Sequence, residues 1–409
     1  MPRKKEVGLA FLMCSLLSLT ILGSMAVAIP GDGVVIVSPS GDTSGYEDWL
    51  NVQNALSEGS FIHLKKGMYY LAAPVIAMNF DGVLKGAGGG SIIMAVSDFE
   101  AVDDPLALFC FYQDGAADVG IEKLILGAEA EGVSGIMIVG TMQGSLSVDD
   151  CKFYGLAAGV SGMSFVDSVI EMKHNEFYDV GQGMVFNGPI ENSVVSISHN
   201  LVDVARHGVE VYDIENTEVS IVHNQIQGIY DSAATYETGA AINVIQMSRY
   251  GAPGEVRIMH NYIQGYTRWD WGYDMVNVLD FGAFAGVSGN LEAIIAHNTI
   301  ELDDSVWGGI GVHGGMDNPM IAFNTISGSG DAAIYVCFWS QWGLEDMSGA
   351  RILFNDVSDF TAIPYPGLID PTAPIWIGPG VSESLIVAFD SSSVLDVSGS
   401  NTVVIVGHG

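Results

Sequence analysis

The sequence predicts an all-β chain wound as a right-handed parallel β-helix with an N-terminal capping helix, and three observations carry that expectation. A short segment ending in His-Asn or Phe-Asn recurs seven times, apolar residues hold fixed places on both sides of its Asn, and glycine is frequent at 51 of 409 residues. Hydrophobic residues make up 49% and charged residues only 15%, a composition rich enough for a large core and poor for disorder. The chain is longer than an average domain, but a solenoid grows by adding coils to one core, so a single elongated body is expected.

Aligned on one Asn, the repeats read MKHNEF, ISHNLV, IVHNQI, IMHNYI, IAHNTI, IAFNTI and ILFNDV. The key residues are Asn175, Asn200, Asn224, Asn261, Asn298, Asn324 and Asn355, at spacings of 25, 24, 37, 37, 26 and 31. The shortest spacing is one coil of short strands and turns, and the longer ones carry insertions. Cys151 in VDDCKF and Asp390 in VAFDSS extend the column in both directions.

Three residues before the Asn stand Met172, Ile197, Ile221, Ile258, Ile295, Ile321 and Ile352; two after it stand Phe177, Val202, Ile226, Ile263, Ile300, Ile326 and Val357. Alternation points both columns into the core. Asn tolerates left-handed turn geometry and its amide can bond its copies in a stack, so one Asn per coil marks a tight corner. The residue before it is His174, His199, His223, His260, His297, Phe323 or Phe354. Parity counted from the Ile column turns these rings inward, and phenylalanine in the same column asks for a planar interior ring. Coils about 4.8 Å apart also hold imidazoles too far apart to share one ion with bonds of about 2.1 Å, so stacking rather than metal binding is expected.

The parts fall in order. Residues 1–28 read as an export signal, with Arg3, Lys4 and Lys5, an apolar run from Gly8 to Gly23, and a small-residue cleavage site at Ala26-Val27-Ala28. The run is short for a spanning helix, so a secreted or cell-surface chain without a membrane span is expected once the signal is cleaved. Residues 29–85 form the N-terminal cap and first strands, 86–390 the β-helix, and 391–409 a C-terminal strand or cap. Cleavage after Ala28 leaves 11 basic against 47 acidic residues, net −36, which disfavours nucleic acid as a partner. Three widely spaced cysteines, Cys110, Cys151 and Cys337, make neither a disulfide framework nor a zinc signature.

At the amino end, TSGYEDWLNVQNALSEG reads as a helix opened by a capping box of Ser44 and Glu47, its apolar face closing the solenoid. A strand into Lys66-Gly67-Met68-Tyr69 and then Leu84-Lys85-Gly86-Ala87-Gly88 follow. This order, with the Asn repeat, resembles the pectin-lyase-like β-helix superfamily over roughly residues 46–390. The resemblance implies the fold and a carbohydrate context, since that superfamily includes polysaccharide lyases, glycoside hydrolases and noncatalytic surface proteins. Polygalacturonase motifs are present only as fragments at Asp149-Asp150, His207-Gly208 and Arg257. Asn-Thr-Asp is missing and residue 259 is Met, so that hydrolase assignment fails on its residues.

A second strand in each coil, the middle strand, reads GMVFN, GVEVY, AINVI, MVNVL, GIGVH, AIYVC and PIWIG. With Met184, Val209, Ile242, Val276, Ile310, Ile334 and Ile375 inward, the outward column is Val185, Glu210, Asn243, Asn277, Gly311, Tyr335 and Trp376. Asn187, Tyr212, Ile245, Leu279, His313 and Cys337 form the next outward column. The longest insertions flank this strand and carry Arg268, Trp269, Trp271, Trp339 and Trp342 beside carboxylates such as Asp231 and Asp270. A polar and aromatic line along a sheet face suits a polysaccharide or cell-surface glycan. The expected catalytic groups are Glu210, Asp274, Arg268 and His313, with Asp213 as a further carboxylate. Asn243, Asn277, Tyr335, Trp376, Trp269, Trp271, Trp339 and Trp342 are the expected ligand-binding residues. Two carboxylates flanking a bond would serve glycoside hydrolysis; carboxylates holding Ca²⁺ beside an arginine would serve β-elimination. A noncatalytic surface or adhesion protein is the alternative.

Overall fold

The computed structural model describes residues 31–99, 106–229, 239–247, 253–265, 274–280, 290–303, 308–316, 318–337, 347–363, 373–378, 380–396 and 401–407. The chain is a right-handed parallel β-helix whose coils each present three faces. The face leading into the Asn corner stacks strands such as Val194–Ser198, Glu218–Val222, Gly254–Met259 and Leu291–Ala296. The face trailing the corner stacks Gln225–Ile229, Tyr262–Gly265 and Thr299–Leu302. The middle face stacks Ile242–Gln246, Val276–Asp280 and Ile310–Gly314. Nearer the amino end, Ala107–Glu122, Ser134–Asp149 and Ala158–Lys173 run without a break from the middle face to the leading face.

Registers are those of the repeat. Ile221, Ile258, Ile295, Ile321 and Ile352 face one another rung by rung, as do Ile226, Ile263, Ile300 and Ile326, and all are fully or almost fully buried. Each such side chain contributes roughly 1.5–3 kcal/mol on burial, so identical coils stabilise one another by repetition rather than through one central core.

The Asn corner is as regular, but inverted with respect to parity. Each Asn is buried, and its amide links neighbouring coils: Asn224 Oδ1 accepts from Asn200 N and Nδ2, both at 3.0 Å, while Asn224 Nδ2 donates to Ile197 O at 3.0 Å and to Asn261 Oδ1 at 3.0 Å. Cys151 begins the ladder, its N–H donating to Asn175 Oδ1 at 3.0 Å, and Asn355 ends it. Asp390 lies outside the ladder and is exposed, its carboxylate accepting from the N–H and hydroxyl of Ser392.

The left-handed residue is not the Asn but the one before it. His174, His199, His223, His260, His297, Phe323 and Phe354 have φ between 54° and 58°. That single turn of the backbone reverses the alternation, so the Asn points inward and the ring before it points to solvent. All seven rings are exposed, Phe323 by 49% and Phe354 by 47%, which corrects the expectation of interior rings. Stacking does hold: successive ring centroids are 5.0–5.5 Å apart along the outside of the corner.

The helix Tyr46–Glu58 covers the amino end through Val52, Ala55 and Leu56. Ser44 is not the N-cap, and its hydroxyl accepts only a long bond from Tyr46 N at 3.5 Å rather than one from Glu47 N. Gly45 occupies the N-cap, and the Asp42 carboxylate accepts from Glu47 N (3.1 Å), Ser44 N (2.9 Å) and the Ser44 hydroxyl. Asp48, fully buried on the same helix, ties it to the first coils by accepting from Ser40 N at 2.7 Å and Tyr70 N at 3.0 Å. No helix among the described residues is long and apolar enough to cross a membrane. The expected export signal lies outside the described residues.

Candidate functional site

The middle strands align as their alternation predicts: Val185, Glu210, Asn243, Asn277, Gly311, Tyr335 and Trp376 are register partners in one outward column. Just before each strand two successive residues face inward, for example Ala241 with Ile242 and Met275 with Val276, all in the core. This slip brings the residue three before the column onto the same outer face. His207 thereby meets Glu210, and Asp274 comes beside the column at Gly311.

Glu210 is the carboxyl group of the outward column, and His207 and Asn243 engage it. His207 Nε2 lies 3.3 Å from Glu210 Oε2, and the Ala240 N–H donates to His207 Nδ1 at 3.3 Å, which assigns the neutral ring's proton to Nε2. Asn277 Nδ2 donates to Asn243 Oδ1 at 2.9 Å, and Asn243 in turn bonds Glu210. Burial pushes the Glu210 carboxyl above its ordinary value, against the opposing pull of the Arg206 charge and the Asn243 hydrogen bond. Burial, with Arg206 adding to it, pushes His207 down to about 3.

The second unit is Asp274 with His313. His313 Nε2 is 3.0 Å from Asp274 Oδ2, the Gly308 N–H donates to Asp274 Oδ1 at 2.8 Å, and both side chains are almost fully buried. Two glycines make the room. A Cβ at Gly311 would overlap Asp274 Oδ2 and come within 2.5 Å of His313 Nε2, and one at Gly308 would come within 2.6 Å of Asp274 Oδ1.

Tyr335 and Trp376 stack at 4.4 Å and 9°, with His313 5.5 Å from Tyr335. The column is not an open track. Asn243, Asn277 and Trp376 are buried, whereas Glu210 keeps 15% of its side chain exposed and Tyr335 is half-buried. Among the described residues, the buried Trp376 Nε1 has no hydrogen-bond partner. Trp376→Ala is therefore expected to cost stability, about 3 kcal/mol by denaturant unfolding, because a buried ring and its packing are removed. An unchanged midpoint would place the ring at the surface.

Sequence reasoning named Glu210, Asp274, His313, Asn243, Asn277, Tyr335 and Trp376, and the fold brings them to one face. It missed His207 as Glu210's partner, and Gly308 and Gly311 as the space for Asp274. A histidine three before the outward acid, and glycines at the matching places one coil beyond Asp274, were the available signals. Asp213 lies further on, at a corner with φ 64°. Arg268, Trp269, Trp271, Trp339, Trp342, Asp231 and Asp270 lie outside the described residues. Among the described residues, no group of three or more His, Cys, Asp or Glu stands close enough to hold a metal ion.

His207 gives the site a pH signature. His207 has a folded value below its ordinary 6.5, so the folded chain resists its protonation, and stability is lost as pH falls from 6.5 toward 3. By pH 4.5 the loss should reach about 3 kcal/mol, at 1.36 kcal/mol per pH unit. His207→Gln should flatten this limb of a stability profile measured by urea unfolding, and an unchanged slope would exclude His207 as its source.

No protein-family model matches the chain, and no curated protein matches its sequence. Solved structures do match its fold. DFA-IIIase from Arthrobacter chlorophenolicus A6 without its lid superimposes with a TM-score of 0.58 at 14% identity, covering 91% of this chain and 99% of that one. A mutant of the same enzyme in complex with DFA-III gives 0.55 at 14% identity, covering 91% and 99%. PfbA, a surface adhesin of Streptococcus pneumoniae, is a looser likeness, with a TM-score of 0.40 at 12% identity and coverage of 86% and 92%. At these identities the likeness is one of fold.

Proposed function

We propose that this chain is an exported carbohydrate-acting protein that cleaves a glycosidic bond, as a hydrolase or a lyase, on the outward face of its middle strands. The observation that carries the reading is the presence of two carboxyl–imidazole units, His207 with Glu210 and Asp274 with His313, on one face. Sugar-bond cleavage uses two carboxyl groups in different states, an acid for the leaving oxygen and a base or nucleophile opposite it. Glu210, raised by burial and partly open to solvent, is suited to the acid. Asp274, held by Gly308 and His313, is suited to the carboxylate. Half-buried Tyr335 offers a ring against which a sugar can pack.

The fold likeness to an enzyme whose structures contain DFA-III or GF2 supports an oligosaccharide or polysaccharide as ligand. Residues 1–28 support secretion or display at the cell surface. A product-detecting screen of the mature chain against acidic and neutral polysaccharides and against short oligosaccharides, with and without Ca²⁺, tests the reading. Turnover that falls at least about 100-fold in Glu210→Gln is the expected result. Binding without turnover would instead favour a noncatalytic surface protein, a reading to which the burial of Asn243, Asn277 and Asp274 lends weight.

A further inference from the structure

Five of the nine histidines form one line on the outside of the Asn corner, remote in register from the middle-strand face. His174, His199, His223, His260 and His297 project to solvent from successive coils, with ring centroids 5.5, 5.1, 5.0 and 5.0 Å apart. His223, His260 and His297 are parallel to within 9°. His174 is engaged by Asp149, Nδ1 to Oδ1 at 3.0 Å, whereas His199, His223, His260 and His297 stand clear of carboxylates within ion-pair distance among the described residues. We propose that these four imidazoles form a surface site for divalent copper, nickel or zinc, each ion held by rings from two adjacent coils with water completing its shell.

The chemistry follows from the ring, the spacing and the exposure. Imidazole is the ligand that these borderline ions favour among exposed side chains. Two nitrogens on one ion, each at about 2.0–2.1 Å, lie about 3.3 Å apart. Stacked rings at 5.0 Å do not present that separation, in keeping with the absence of a preformed three-ligand cluster among the described residues. Closing that gap requires two neighbouring rings to rotate about their side-chain torsions, which their exposure to solvent permits. Rings turned into the core could not do this, so the left-handed residue at each corner is what makes the site available.

Charges around the line differ along its length. Near His174 stand Asp149, Asp150, Lys173 paired with Glu171, and Glu176. Around His260 the neighbouring strands carry Arg257, held by Glu218 and Glu255, and Glu301 beyond Tyr262. The net charge of −34 draws divalent cations to the whole surface, so the test must separate nitrogen from oxygen ligands.

Cu²⁺ titration of the full chain at pH 7.5, read by calorimetry and electron paramagnetic resonance, makes that separation, with Ca²⁺ as the oxygen-seeking comparison. Saturable Cu²⁺ binding with imidazole nitrogen couplings is expected. His223→Phe/His297→Phe puts phenylalanine where Phe323 and Phe354 already stand and leaves His199 and His260 separated. Cu²⁺ affinity should fall roughly tenfold or more while Ca²⁺ binding is unchanged. His223→Gln/His297→Gln should do the same without altering the hydrophobicity of the corner. Nitrogen-free Cu²⁺ spectra in the parent, or undiminished affinity in both double variants, would overturn the proposal.

Discussion

Asn224→Ala is expected to destabilise the chain by about 4 kcal/mol, whereas His223→Asp, one residue earlier, should change stability by less than about 0.5 kcal/mol. Removing the Asn224 amide leaves Asn200 N–H without its acceptor and Ile197 C=O without its donor, both inside the coil. Each buried group left unsatisfied costs about 1–3 kcal/mol, and the small cavity adds to that. His223 is exposed with φ 57°, and Asp150 already holds an aspartate in the same left-handed place with φ 55°. Interior rings would have required the opposite outcome at position 223, a buried charge and a loss of several kcal/mol. Urea unfolding of the two variants beside the parent decides the matter, and equal losses would contradict the assignment of inside and outside at this corner.

Gly311→Ala should be as costly, about 3–5 kcal/mol, and should also abolish whatever chemistry Asp274 supports. The added methyl group falls on the Asp274 carboxylate and on His313 Nε2, so the pair must separate or the strand must shift. The strand is fixed by its neighbours on both sides, Asn277 and Tyr335 being its partners at this rung, so separation is the expected response. Breaking a buried acid–imidazole contact leaves each member without its partner in a low-dielectric site. The measurement is a double-mutant cycle with Asp274→Ala. Gly311→Ala should cost much less in that background, because the overlapping carboxylate is gone. If the cost is the same with and without Asp274, the glycine serves the backbone and not the pair. Turnover, once a substrate is identified, should fall in Gly311→Ala to the level of Asp274→Asn.

The helix cap shows on a small scale why parts of the site escaped the sequence. Ser44 followed by Glu47 satisfies the capping pattern, yet Asp42 makes those bonds, since the chain folds back two residues earlier than the pattern assumes. The same kind of displacement hides His207. A strict two-residue period places residues 207 and 210 on opposite faces, and only the double inward step before the middle strand joins them.

The sequence by itself determined the solenoid, the coil boundaries, the core columns and the membership of the outward middle-strand column, because strand alternation and a repeated Asn are local signals that each coil states again. Tertiary structure decided which way the corner rings point, which histidine serves Glu210, and how Asp274 fits beside Gly311. Those outcomes rest on one left-handed backbone turn and on side chains from coils 33–39 residues apart, as in Ala240 with His207 and His313 with Asp274. Period counting carries information along a strand, but a corner resets the phase, and contact between coils depends on space that only the stacked backbone defines.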